Sequence, residues 1–265
     1  PPPRTFAQVP HPPKVVIAGA GPAGLFCALR LLDCGVAPVI IERGKRVEER
    51  ARDVQAFMQT GVFDPSSNIQ FGEGGAGAFS DGKLNTQTND RRNRDVLDTF
   101  VRFGAPEEVG YLGKPHVGSD NLKKVVANLR AEIIGRGGEF RFSETLTDVR
   151  IRDGRLAEIV TERGAEACDA LVLAVGHSAR DTFEMLLSRG FAVEQKEFAV
   201  GVRIEHLQAA IGRAQYGAGY AALPAADYKL VSHSSERAVF TFCMCPGGVV
   251  VPAASEEGGV VTNGM

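Results

Sequence analysis

Charge of one sign is the first thing this 265-residue sequence lacks: 30 Lys and Arg stand against 32 Asp and Glu, a net charge of −2. Nothing in that balance draws nucleic acid or an anionic membrane to the chain as a whole. Cysteine is sparse and odd in number, five in all. That count excludes a secreted disulfide scaffold and points to a reducing, cytoplasmic compartment. No apolar run approaches the roughly 18 residues that would read as a membrane span. The opening residues also lack the basic-then-apolar layout of a secretory signal. Compositional extremes are missing too: 44% hydrophobic and 23% charged residues exclude a disordered or collagen-like chain. At roughly 100–200 residues per domain, the length suits one large domain or one and a half.

What is plentiful is glycine, 31 of 265 residues, or about 12% against a usual ~7%. The glycines gather at 19–24, 72–77, 110–118, 135–138 and 247–248. Glycine allows positive φ and close approach of backbone to a ligand, so such clusters suit loops wrapped around a bound molecule; a loop-rich chain without a ligand shows some of them as well.

Residues 1–13, PPPRTFAQVPHPP, carry no initiator Met and read as an extended linker. The chain closes on VVTNGM without a helix, and the expectation is that it stops within a domain. Between these ends strand and helix patterns alternate. Lys14–Ala18 reads as a strand buried on both faces. A helix is expected over 22–34, with Leu25, Ala28, Leu29 and Leu32 on one face and Gly35 as its stop. Val39–Glu42 is the next strand, and an Arg- and Glu-rich helix is expected over 45–59. The long Gly/Ser/Asn/Asp-rich stretch 61–90 is unusual in a compact domain unless it is functional. Helices are expected at 91–103 and 120–135, the second capped by Asp120 and carrying the stripe Leu122, Val126, Leu129 and Ile133. Strands follow near 139–142, 145–151 and 156–160, the last two joined by the turn signal Asp153-Gly154. Ala170–Val175 reads as a third buried parallel strand, with a helix near 179–188. From 198 onward FAVGVRIEH, YKLVSH, AVFTFCM and VVVPA are β-like. The expected fold is α/β: a three-layer Rossmann-like domain over 14–190 and a β-rich second domain over 191–265.

The sharpest local signal is Gly19-Ala20-Gly21-Pro22-Ala23-Gly24, set between a strand and a helix, with the acidic Glu42 ending the next strand. In this βαβ setting Gly19 makes the tight turn, Gly21 admits a pyrophosphate and Gly24 lets the helix pack on the strand. The helix N-terminus supplies N–H donors. Glu42 is expected to take both ribose hydroxyls and to repel a 2′-phosphate. Arg43 is either a contact to an adenine edge or a solvated cation.

The second signal is Phe71–Leu84, FGEGGAGAFSDGKL. It either presents N–H groups to a phosphate or a flavin edge or is a mobile surface loop. It is not a nucleotide-hydrolysing loop, because Leu84 stands where GxxxxGK[ST] requires Ser or Thr. A third is Leu171–His177, LVLAVGH, where a returning strand meets a dinucleotide at the carboxyl edge of the sheet; His177 is a proton carrier or a plain loop residue. Cys243 and Cys245, two apart before Pro246, are either a redox pair or small core residues. No Cys or His cluster has metal-ligand spacing. Arg203, Glu205 and His206 alternate along a strand-like run and suit ion pairing better than a substrate clamp.

The strings GAGPAGL, ERG, FGEGGAGAFSDGKL, KPHVG, VLAVGHSARD, FAVGVRIEH, AADYKL and FCMCPGGVV resemble the FAD-dependent, NAD(FAD)-utilising dehydrogenases of the glutathione-reductase-like flavoprotein superfamily. The resemblance runs from about residue 14 to the end. It implies FAD as the cofactor, its pyrophosphate at Gly19, Gly21, Pro22, Ala23 and Gly24 and its ribose at Glu42, with Arg43 adjoining. It implies Gly74, Gly75, Ala76, Phe79, Ser80 and Lys83 along the flavin, Leu146 beside the adenine and Gly176 near the pyrophosphate. Members of that family extend beyond both ends of this sequence, so the flavin pocket is expected to be incomplete here. The implied activity is hydride transfer between a small-molecule substrate and flavin, with electrons passed on to an acceptor; neither molecule is identified by the resemblance. Lys83 and His177 are the candidates for proton transfer or for stabilising negative flavin charge. The competing readings are a plain NAD-dependent dehydrogenase, which leaves the 71–84 loop unexplained, and a flavin- or nucleotide-binding module without turnover.

Overall fold

The computed structural model describes residues 5–79, 82, 84, 86, 88–112, 117–233, 236–242, 244, 246 and 250–264. After the proline-rich opening the apolar run becomes strand β1 (Val15–Ala18), buried at every position, as a strand covered on both faces of a parallel sheet must be. Helix α1 (Pro22–Asp33) follows and buries Leu25, Ala28 and Leu32 along one stripe. Strand β2 (Val39–Glu42) lies parallel to β1, with Val16 opposite Val39. Helix α2 (Val47–Thr60) ends where Gly61 adopts a φ of 75°, a left-handed cap that glycine takes without steric cost. A long segment containing a 3-10 turn (Ala76–Phe79) leads to α3 (Arg92–Arg102) and α4 (Ser119–Gly135). Strand β3 (Glu139–Phe142) then pairs in parallel with β2.

An antiparallel meander comes next: β4 (Leu146–Arg152), β5 (Arg155–Thr161) and β6 (Gly164–Ala167). Its first turn carries positive φ at both Asp153 (50°) and Gly154 (73°), the backbone that a tight hairpin demands. Strand β7 (Ala170–Leu173) returns to pair in parallel with β1, and α5 (Arg180–Ser188) follows. The parallel sheet therefore has the order β3-β2-β1-β7.

Strand alternation separates the two faces of that sheet. Val16, Ala18 and Ile41 pack with Leu146, Val149, Ile159 and Cys168 of the meander side. Ile17 points the other way, toward Gly24 of α1. Leu122, Val126, Leu129 and Ile133 of α4 are buried as one stripe. Helices, parallel sheet and meander make three layers. Each fully buried Ile or Leu among them contributes roughly 1.5–3 kcal/mol.

Three local expectations are corrected. Helix α4 starts after Gly118, which has no side-chain cap, and Asp120 lies in the first turn; its carboxylate stabilises the helix through the dipole. Strand β7 is half-buried rather than buried, with Leu173 exposed, because among the described strands it is an edge of the sheet. The run 198–206 forms no ladder, and a helix not expected from the pattern, α6 (Gln208–Tyr216), follows it. Alternation shows that a segment suits a sheet; only a partner makes it a strand.

The chain divides into two compact units, Pro1–Glu197 with Ala253–Val260, and Phe198–Pro252 with Val261–Met265. The first holds the three layers. The second carries α6, a 3-10 turn (Gly217–Ala222) and two short antiparallel ladders, β8 (Val231–Ser232) with β9 (Val239–Phe240) and β10 (Val250–Pro252) with β11 (Thr262–Gly264). Within it His206 Nε2 lies 2.8 Å from the Tyr228 hydroxyl. Among the described residues no helix is long and apolar enough to cross a membrane.

Candidate functional site

A cleft of about 430 Å³ opens in the first unit at the carboxyl edge of β1, β2 and β7. Loops following the strands of an open parallel sheet diverge at such an edge and leave room for a ligand. The first wall is the turn between β1 and α1. Gly19 has a φ of 109°, and a Cβ there would sit 2.3 Å from the Ala174 carbonyl oxygen. A Cβ on Gly24 would come within 1.9 Å of the Gly19 oxygen. Gly24 lets the helix backbone rest on the Gly19 carbonyl, and Gly19 lets the turn rest on the backbone that follows β7. Gly21 differs: a Cβ there would meet only the Cα of Gly75, at 3.8 Å. Gly21, Pro22 and Ala23 line the cleft, and Gly21 caps α1 without any side-chain hydrogen bond.

Glu42 ends β2 beneath this turn and is buried. Its Oε2 accepts from the N–H of Ala20 at 2.7 Å, and its Oε1 accepts from the N–H groups of Gly44 (2.9 Å) and Gly72 (3.1 Å). An ionised carboxylate offers about four acceptor positions; three are taken by backbone, and one remains on Oε2. The geometry thus has room for one hydroxyl rather than the two expected from the sequence. Arg43, next in the chain, is not a solvated cation. Its Nη2 donates to both carboxylate oxygens of Asp181 (2.9 and 3.0 Å), and its guanidinium lies 4.4 Å from the centre of the Phe71 ring. Arg43 and Phe71 both line the cleft.

The second wall is the glycine-rich stretch after α2. Gln70, Phe71, Gly72, Gly75 and Ala76 line the cleft. Gly74 N donates to the Ala20 carbonyl at 2.9 Å, which ties the second loop to the first. Gly74 and Ala78 line a smaller, apolar cavity with Leu25, Phe26 and Val126. Phe79, expected along the flavin, is buried with its ring 4.6 Å from the Arg50 guanidinium and does not line the cleft. Ser80 and Lys83 lie outside the described residues, as do Cys243 and Cys245.

The third wall comes from the end of β7 and from β4. Gly176, with a φ of 75°, His177 and Ser178 line it, and Leu146, Leu173, Phe183 and Leu186 supply its apolar surface. His177 Nε2 lies 3.3 Å from Ser178 Oγ, which donates to Gln70 Oε1 at 3.4 Å; Gln70 Nε2 in turn donates to the Ala253 carbonyl at 3.2 Å.

Behind the second wall stand two buried ions that the sequence reading did not single out. Arg50 of α2 is fully buried. Glu73 is fully buried too; its Oε2 accepts from the Val47 N–H at 2.8 Å and from Arg130 of α4, while Oε1 has no hydrogen-bond partner. Loss of solvent raises the Glu73 carboxyl from its ordinary range to about 7, despite Arg130. A signal for Arg50 was present: with Val47 and Val54 it occupies the buried face of α2.

Comparison with known proteins adds the following. Residues 197–265 match the model of a family described as FAD-dependent protein, C-terminal domain-like. A curated Clostridium beijerinckii protein, described as uncharacterized, is 51% identical over 256 residues, covering 95% of this chain and 48% of its own length. The chain thus spans about half of that relative. Among solved structures it is similar to Thermovibrio ammonificans THI4, at 18% identity and a TM-score of 0.43, covering 68% of this chain and 64% of that one. It is also similar to a glycine oxidase from Bacillus cereus, at 16% identity and a TM-score of 0.36, covering 66% and 58%.

Proposed function

We propose that the cleft holds FAD and that the chain is part of a flavin-dependent oxidoreductase acting on a small molecule. One observation carries the reading. Two glycine-rich walls face each other with bare backbone, so close that a Cβ on Gly21 would already lie in contact with the Gly75 Cα, at 3.8 Å, and a buried acidic residue stands at the end of β2. That is a cradle a side chain would fill, and it fits a dinucleotide. The description of the family matched by residues 197–265, and the resemblance carried by residues 14–265, favour FAD over NAD.

In this reading the N-terminus of α1 receives the diphosphate through its uncapped N–H groups and positive end. The free acceptor position on Glu42 takes one ribose hydroxyl, and its charge repels a 2′-phosphate. Leu146, Phe183 and Leu186 form the apolar side of an adenine site. Bound FAD supplies a ring that accepts a hydride. His177, on the cleft wall beside Ser178, is positioned to hold a proton, and Lys83 is the second candidate for that task. We assign cofactor binding to residues 14–190 and contacts to substrate and electron acceptor to 191–265.

The purified chain is expected to be yellow and to release FAD, not FMN, on denaturation. A colourless protein that takes up no FAD in titration overturns the reading. Gly21→Val is expected to lower FAD affinity at least about 100-fold with little change in melting temperature, since its side chain enters the cleft and not the core. Retention of stoichiometric FAD by that variant places the diphosphate elsewhere.

A further inference from the structure

Arg50 is a cation with no evident reason to be buried. Its three guanidinium nitrogens donate to five carbonyl oxygens of one short stretch: Nε to Asn68 (2.7 Å), Nη2 to Ile69 (2.8 Å), and Nη1 to Gly72 (3.3 Å), Glu73 (2.6 Å) and Gly75 (2.9 Å). The ring of Phe79 closes the other side, 4.6 Å from the guanidinium carbon. Among the described residues no carboxylate lies within ion-pairing distance of it. Burial pulls its pKa down to about 10, partly offset by the charges of Glu42 and Glu73, so it stays protonated at neutral pH. Desolvating a guanidinium costs several kcal/mol, and here that cost is offset by ordering backbone rather than by pairing a charge.

The ordered backbone is the second wall of the cleft. Gly72 and Gly75 line the cleft, yet their carbonyl oxygens point to Arg50. Were those oxygens turned inward, the wall would present acceptors to a diphosphate and repel it. Gly72 also leaves Arg50 no slack, because a Cβ at its φ of 118° would lie 2.4 Å from Arg50 Cδ. The opposite edge of the stretch is stitched down as well, Gly72 N to Glu42 and Gly74 N to Ala20.

We propose that Arg50 is the positioning residue of the cleft: from behind, its guanidinium holds residues 68–75 in the shape a diphosphate-bearing cofactor meets, and keeps their carbonyl oxygens out of its path. The proposal rests on the reading of the cleft as an FAD site. Arg50 touches no ligand and acts through the loop.

The test uses Arg50→Lys, which keeps the charge but has one nitrogen where the fork has three. Hydrogen exchange of the cofactor-free chain is read first. Amides of residues 68–77 are expected to exchange at least tenfold faster in the variant, with those of β1 and β2 unchanged. FAD titration by fluorescence quenching, well below each melting temperature, is expected to show at least a tenfold rise in Kd. The ³¹P resonances of the bound diphosphate are expected to move, which a merely less stable fold with the same wall would not produce. Unchanged exchange in 68–77 overturns the proposal whether or not FAD binds. Faster exchange with wild-type FAD affinity overturns it too. Wild-type chain that binds no FAD, with exchange altered in the variant, sinks the cofactor reading and leaves Arg50 as the support of the loop alone. Should Arg50→Lys not fold, Phe79→Leu loosens the guanidinium without leaving a carbonyl unpaired. Faster loop exchange and a threefold or greater rise in Kd support the proposal there, and wild-type values for both overturn it.

Discussion

The two glycine-rich loops face the same cleft but are built by different means. In the first, residues 19–24, the glycines are required by contact between backbones: a Cβ on Gly19 or Gly24 would strike a carbonyl oxygen at 2.3 or 1.9 Å. The Gly24 contact lies within the β1–α1 turn and the Gly19 contact is to Ala174 after β7, so this loop is shaped by backbone packed on backbone. In the second, residues 68–75, shape comes from groups elsewhere in the chain: the Arg50 side chain on the carbonyls, the Glu42 carboxylate on the N–H of Gly72, and the Arg130 side chain and Val47 N–H on the carboxylate of Glu73. One loop is set by close backbone packing; the other, beyond the positive φ of Gly72, Gly74 and Gly75, is held by polar contacts from residues distant in the chain. A loop of the second kind is open to tuning through residues that never reach the ligand.

The largest effect that separates them is expected at Gly24→Ala. The added methyl has nowhere to go but into the Gly19 carbonyl, and overpacking against backbone costs about 3 kcal/mol or more. Urea denaturation measures it; a loss below about 1 kcal/mol would mean that the first loop yields, and the contrast would fail. A middle-sized effect is expected from Glu73→Gln. The folded Glu73 carboxyl sits at about 7, above its ordinary 4.5, because it is buried. The folded state therefore holds that proton where the unfolded state releases it. The contribution of this group to stability is greatest below pH 4.5, falls as pH rises from about 4.5 to 7, and is level above that. Arg130, Glu48 and Arg50 are the charges that face or surround it. The glutamine variant should lose that slope, by an amount on the order of 2–3 kcal/mol across the window. Parallel wild-type and variant profiles from pH 4.5 to 7 would show that Glu73 does not titrate there. The smallest effect is expected at Gly77→Ala. Its φ lies outside the left-handed region and nothing stands within 4 Å of the new Cβ, so stability should change by less than about 0.5 kcal/mol. A larger loss would show that position 77 needs glycine as the positive-φ positions 72, 74 and 75 do.

Some of this was readable along the chain. The β1-α1-β2 unit, the Asp153-Gly154 hairpin and the stripe of α4 all follow from spacing within a dozen residues. The cleft residues Gly19, Gly21, Pro22, Ala23, Glu42, Gly75, Ala76, Leu146, Gly176 and His177 line one cavity or stand at its edge. Phe79, expected along the flavin, packs over Arg50 and does not line the cleft, because a glycine-rich stretch does not reveal which residue turns inward. Asp120 was taken as a cap because Asp suits that position; Gly118, with a φ of 79°, stands at the helix start two residues earlier.

What the sequence by itself determined is local: where strands and helices begin, which glycines must bend or admit another backbone, and which stripe of each helix seeks the core. Tertiary structure alone decided the rest. It made β7 an edge among the described strands, divided Glu42 among three amides from three loops, and sank Arg50 among five carbonyls of a segment 18 to 25 residues away. The physical reason is that apolar periodicity and glycine strain act between near neighbours and leave a mark at fixed spacing. A buried polar group is satisfied by whichever partner the fold delivers, and that delivery leaves no periodic mark in the chain.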